Sequence, residues 1–238
     1  MADGDDRLVG EDAIIAVLRP LAAEGALGLR DDCATLTPRP GTDLVLKTDP
    51  VAEGVHFLAE DAPEDIAWKA LAVNVSDLAA KGARPLGYLM ALSFPAAPRR
   101  SWLARFAAGL QEAQTAFGCA LLGGDTDRRP GPITISMTVL GEVSSGQMVQ
   151  RGSAQAGDLL FVSGTIGDAA LGLRLCRTPT LVDDWALAPP QVEALVQRYR
   201  RPQPRLALGG ALRAHARASM DLSDGLVKDL GRMLRASG

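Results

Sequence analysis

The chain has 238 residues, with 25 Lys and Arg against 28 Asp and Glu, two His and a net charge of −3. Hydrophobic residues make up 47% and charged residues 22%, which fits a folded globular protein and excludes a disordered one. With 4% aromatics and a mildly acidic balance it lacks the basic surface and stacking platforms of a nucleic-acid binder, and no apolar stretch is long and uncharged enough for a membrane span.

Residues 1–6 are acidic and carry no apolar run, so a secretory leader is not expected. Cys33, Cys119 and Cys176 stand far apart, which argues against a disulfide framework or a zinc site and for a cytoplasmic protein. Residues 8–27 have helical spacing with a kink expected at Pro20. A short strand is predicted over 43–48, ending at Thr48-Asp49-Pro50. A helix should start near Pro63, where Glu64 and Asp65 favour its positive end, and stop near Gly82. A strand over 86–94, an amphipathic helix over 99–117 and a strand over 119–122 follow, the last breaking at Gly123-Gly124. Alternation of Ile133, Ile135, Met137 and Val139 with hydroxyl residues marks a half-covered strand.

The stretch 141–157, rich in Gly, Ser and Gln, predicts a change of unit, with a first domain over 1–145 and a second over 146–238. In the second, a strand is predicted over 159–162 and helices over 169–176, 191–200, 205–215 and 226–236. The fold class expected is α/β with mixed sheets, in two units. Few strands remain for the second unit, which reads as incomplete.

The placement of aspartates carries the chemistry. Of Asp32, Asp49, Asp77, Asp125, Asp221 and Asp224, four lie beside Gly, Ser or Thr, Asp221 stands two residues before Ser223, and most follow an apolar run directly. Carboxylates converging on one pocket repel one another unless cations intervene, and Mg²⁺ with substrate phosphates is the natural match for oxygen ligands. Plain alternatives stay open for most of them. Asp31-Asp32 and Asp49-Pro50 also suit turns, Gly123-Gly124-Asp125-Thr126 a capped turn, and Asp221-Leu222-Ser223-Asp224-Gly225 a helix entry. Asp77 is the sharper case, because Asn74 and Asp77 share a helix face that is otherwise apolar, and a buried Asp needs a partner. Gly164–Gly167 before a helix suits either a packing turn or a phosphate cradle. His215 fits a solvated, basic helix end, whereas His56 is open to a substrate contact or a loop role. P-loop and protein-kinase signatures are missing from the sequence.

Taken in order, residues 28–34 (GLRDDCA), 48–57 (TDPVAEGVHF), 72–83 (AVNVSDLAAKGA), 123–126 (GGDT), 151–158, 163–173 (SGTIGDAALGL), 201–205 and 221–226 (DLSDGL) resemble the thiamine-monophosphate kinase family. That family belongs with the aminoimidazole ribonucleotide synthetases and selenophosphate synthetases. The resemblance implies the two-domain architecture of that superfamily and a homodimer joined through N-terminal domains. It implies ATP as co-substrate, several Mg²⁺ ions, and transfer of the γ-phosphoryl of ATP to thiamine monophosphate. By position, Asp32, Thr48, Asp49, Asp77, Asp125, Asp221 and Asp224 would be metal ligands. Gly124, Asp125, Arg151 and Ser223 would meet ATP, and His56 would meet thiamine phosphate. Three departures stand out: Lys47 where the family commonly has a small hydroxyl residue, Asp127-Arg128-Arg129 after the GGDT, and Gln155-Ala156 before Gly157-Asp158. Members of the family also continue past the last helix here, so a catalytically silent Mg·ATP-binding or dimerisation module is the alternative reading. The sibling synthetases fit less well, since the first cysteine falls inside the aspartate motif and residues 48–57 differ from their glycine-rich segment.

Overall fold

The computed structural model describes residues 6–238; the acidic segment 1–5, on which the reading of no secretory leader chiefly rests, lies outside them. Its centre is a four-stranded mixed sheet of β1 (Thr42–Ala52), β2 (Arg84–Phe94), β3 (Ala120–Arg128) and β4 (Thr134–Ser144). The order is β1-β4-β2-β3, with β4 antiparallel to both neighbours and β2 parallel to β3. The parallel pair needs a crossover, supplied by α3 (Arg100–Phe117).

Two helices cover one face of this sheet. Helix α2 (Pro63–Ala80) starts with Pro at its first turn and two acidic residues, as the sequence predicts, and is buried on most sides. It is flanked by the sheet, by α3 and by the segment around Leu206. Gly109 of α3 lets the two helices touch, since a Cβ there would overlap the Glu64 backbone. An edge-on contact between Trp68 and Phe117, 4.9 Å between ring centroids, closes the layer.

Three expectations for the first unit need correction. The helix expected over 8–27 is α1 (Glu11–Leu18) followed by short 3-10 turns at Arg19–Leu21 and Glu24–Leu29. Pro20 and the left-handed Leu27 and Gly28 break it, because none of the three can continue an α-helix. Strand β1 does not stop at Pro50 but pairs with β4 through Ala52. As an edge strand it tolerates a residue without an N–H. Strand β3 likewise runs through Gly123-Gly124, where Gly124 allows β3 to approach β2, since a Cβ would overlap the Met90 carbonyl.

After Ser144 the chain is helical, with α4 (Asp168–Arg177), α5 (Leu181–Asp184), α6 (Pro189–Arg200), α7 (Gly209–His215) and α8 (Leu226–Ser237). The strand expected over 159–162 does not form. Leu159 (80%) and Phe161 (84%) are exposed, and no strand lies beside the segment among the described residues to complete its hydrogen bonds. This helical part is tied back to α2 and α3. Trp68 Nε1 donates to the Pro202 carbonyl at 2.9 Å, and the Arg201 guanidinium pairs with Asp65 at 2.5 Å and Glu112 at 2.8 Å. Among the described residues no helix is long and apolar enough to cross a membrane.

Candidate functional site

Strand alternation sorts the predicted residues onto the two faces of the sheet. On β1, Val45, Lys47, Asp49 and Val51 turn toward the helices, while Leu44, Leu46, Thr48 and Pro50 turn away. Asp77 projects from α2 toward this inner face. The Lys47 ammonium lies between the two acids, 2.9 Å from Asp49 Oδ2 and 3.1 Å from Asp77 Oδ2. Asn74, fully buried one turn before Asp77, accepts the Asp49 N–H at 3.0 Å and donates to the Ala70 carbonyl at 3.0 Å. The apolar stretch around Asn74 therefore fixes the strand that carries Asp49 to the helix that carries Asp77.

Asp221 arrives from the other side. Its carboxyl touches Ser76 and Asp77 and is held well above the ordinary carboxylate range, first by burial and then by the Asp77 charge. Ser223 donates to Asp221 at 3.3 Å. The turn that holds both is shaped by Asp229 in the first turn of α8, which accepts the backbone N–H groups of Ser223 and Asp224, each at 2.9 Å. Lys81, at the end of α2, donates to the Ser219 carbonyl at 2.8 Å. Its ammonium is close enough to Arg151, Asp77 and Asp221 to feel their charges, and burial foremost pushes it down. Behind Asp221 and Ser76 lies a cavity of about 380 Å³, with Leu160 and Phe161 on one wall and Arg198 and Arg205 on another.

The remaining residues stand apart from this group. Thr48 donates to the Met137 carbonyl and accepts from Thr138 on the opposite face of the sheet. Asp125 pairs with Ala91 across β3 and β2, which puts it on that same open face at the far edge from β1. Three strand spacings, about 14 Å, separate the two edges. Asp224 is turned into ion pairs with Lys228 at 3.0 Å and Arg232 at 2.6 Å. Asp32 lies on an exposed bend. His56 sits on an exposed turn with Nδ1 accepting the Ala52 N–H at 2.9 Å, which leaves the proton of the neutral ring on an outward Nε2. That turn is braced from beneath by Lys69. Its ammonium donates to the His56 carbonyl at 3.1 Å, lies 3.4 Å from the Tyr199 ring centre and is pushed down to about 8, chiefly by burial.

One group of acids thus comes together, Asp49, Asp77 and Asp221, with Arg151 and Ser223 at its margin. Among the described residues no three His, Cys, Asp or Glu side chains form a ready-made metal cage. The donors nevertheless suit a hard cation. A lysine ammonium already bridges two of the carboxylates, and the third is held against a like charge that a cation would relieve. Sequence reasoning overlooked Lys69, Lys81 and Asp229. Asp229 left one signal, an acidic residue at the positive end of a helix; the two lysines left none beyond their place on α2.

Comparison with known proteins bears on the same residues. Residues 30–143 match the model of the AIR synthase related protein, N-terminal domain. A crystal structure of thiamine-monophosphate kinase from Stenotrophomonas maltophilia superposes with a TM-score of 0.79 and 42% identity, over 99% of this chain and 68% of that one. The chain belongs to the thiamine-monophosphate kinase family. Its mixed sheet and helices have the AIR synthase-like fold of that family. A structure described as AaThiL complexed with AMPPCP and TMP covers 96% of this chain and 71% of its own, with 36% identity and a TM-score of 0.76. The thiamine-monophosphate kinase of Caulobacter vibrioides is 44% identical over 229 residues, 95% of this chain, and the chain spans 63% of that relative's length.

Proposed function

We propose that this kinase-family chain binds Mg·ATP and thiamine monophosphate and transfers the γ-phosphoryl group to the acceptor phosphate in line, giving thiamine diphosphate. The observation that carries this reading is the run of acids from Asp49 through Asp77 to Asp221, the first two bridged by the Lys47 ammonium and the third beside Asp77. Support also comes from the relative whose structure is described as complexed with AMPPCP and TMP.

The acceptor phosphate has a second pKa near 6, so about neutral pH it is mostly deprotonated and needs no general base. The task is to bring two polyanions together. Magnesium would supply the charge neutralisation, held at the Asp77 and Asp221 end of these acids. Arg151 and Lys81 add positive charge at the margin of these acids. Ser223 is set by Asp229 to meet the nucleotide. The outward Nε2–H of His56, with Lys69 bracing its turn, would donate to the thiamine phosphate.

The reading extends to Asp32, Thr48, Gly124, Asp125 and Asp224 as further ligands for metal or ATP, and to a domain boundary near residue 145. It also includes a homodimer through the N-terminal unit. Leu44 (40%), Leu46 (64%) and Leu89 (41%) leave the open sheet face apolar, and Thr48 and Asp125 lie on that face at opposite edges. A second copy laid against it would cover the leucines and bring facing edges within reach of shared ions. A cytoplasmic location agrees with three unpaired cysteines.

The test combines calorimetry with Mg·ATP and chromatographic detection of thiamine diphosphate. Asp77→Asn removes a charge at nearly constant volume, so it should abolish Mg²⁺-dependent turnover while circular dichroism stays unchanged. Undiminished turnover in Asp77→Asn would overturn the assignment. Binding of Mg·ATP with no product from the parent chain would replace the kinase reading with that of a silent binding module.

A further inference from the structure

The position between Asp49 and Asp77 is filled by a side chain of the protein. Lys47 stands two residues before Asp49 on β1, so both side chains leave the same face of the strand. Its ammonium is 2.9 Å from Asp49 Oδ2 and 3.1 Å from Asp77 Oδ2, and 31% of the side chain is exposed. The backbones that carry the two carboxylates are held in place. Asp49 is fixed by its backbone bond to Asn74 and by the β1–β4 ladder, and Asp77 by the buried helix α2.

An ammonium and a magnesium ion fill such a gap differently. Mg²⁺ draws carboxylate oxygens to about 2.0–2.1 Å and demands near-octahedral geometry. Both oxygens lie roughly 1 Å farther than that from the lysine nitrogen. The lysine nitrogen sits at hydrogen-bond distance from both acids, on a stem already anchored in the strand. The charge is then one unit rather than two, and it stays in place whether or not solvent metal is present.

The geometry points to Lys47 as a built-in cation that takes the place of one divalent ion between Asp49 and Asp77. The chain therefore binds one fewer Mg²⁺ than the same carboxylates would with a neutral residue at position 47. Divalent ions are left to the Asp221 side of Asp77, where Ser76 and Ser223 supply further oxygens. This inference rests on the magnesium reading given above.

The experiment counts Mn²⁺ ions per chain, from the free-ion electron paramagnetic resonance signal, with Mn²⁺ as probe and AMPPCP absent and then present. Lys47→Thr should bind one more Mn²⁺ than the parent chain, or bind its last Mn²⁺ at least tenfold more tightly. Lys47→Arg should keep the parent number. Lys47→Met, which keeps the stem but drops the charge, carries the same expectation as Lys47→Thr and serves if that variant does not fold. Equal numbers with affinities within threefold in the parent, Lys47→Thr and Lys47→Met would overturn the role of Lys47 and leave the magnesium reading standing. No Mn²⁺ bound to the parent or to either neutral variant would overturn both.

Discussion

Asn74 links packing to chemistry, and replacing it with Ala is the most informative single change. Its amide is fully buried and satisfies the backbone N–H of Asp49 across the helix–strand interface. In Asn74→Ala that part-buried N–H loses its partner. A buried donor left without a partner costs about 1–3 kcal/mol. The lost bond to the Ala70 carbonyl adds little, because that oxygen can still accept the ordinary helix bond, while the better helix propensity of Ala returns about 0.6 kcal/mol. The net loss should be about 1.5 kcal/mol, a fall in Tm of about 3–6 °C for a chain of this size. Urea unfolding followed by circular dichroism measures it, with an unchanged m-value as the sign that the folded state is otherwise intact. A change below about 0.5 kcal/mol, the range of ordinary surface substitutions, would refute the view that Asn74 holds this strand to α2.

Two further changes test other joints of the structure. Gly109→Ala should lower stability by about 2 kcal/mol, since its Cβ would overlap the Glu64 backbone, which has no rotamer to move away; a thermal melt unchanged from the parent would contradict the close α2–α3 contact. Glu142 is enclosed in the sheet and held by Arg84 first and Arg39 next, which draws its carboxyl down from 4.5 to about 2. Its folded pKa lies below its unfolded one, so its stabilisation is complete above about pH 4.5 and is lost as pH falls toward 2. Glu142→Gln should therefore flatten the decline of Tm with acid in that window; an identical decline in both proteins would show that the two arginines do not set this carboxyl.

Most of the local structure could be read from the residues. The start and composition of α2, the extents of β2 and α3, and the alternation in β4 follow from short-range rules of capping and periodicity, and the structure has them close to where those rules put them. The ends of β1 and β3 could not be read in this way. A Pro or a Gly pair ends a strand on local grounds, but β4 and β2 offer partners that carry both strands onward. Residues 159–162 are the reverse case, β-prone by composition yet without a neighbour to pair with among the described residues.

The sequence by itself determined which side chains the chemistry can draw on: a set of aspartates placed beside glycine and hydroxyl residues, in a chain with two histidines. Tertiary structure alone decided which of them meet. Because strand side chains alternate, adjacent Thr48 and Asp49 face opposite sides of the sheet, while Asp49, Asp77 and Asp221, far apart in the chain, share one. The place of Lys47 between two of them was equally hidden, since the distance from β1 to α2 is set by the packed core and not by any spacing along the chain.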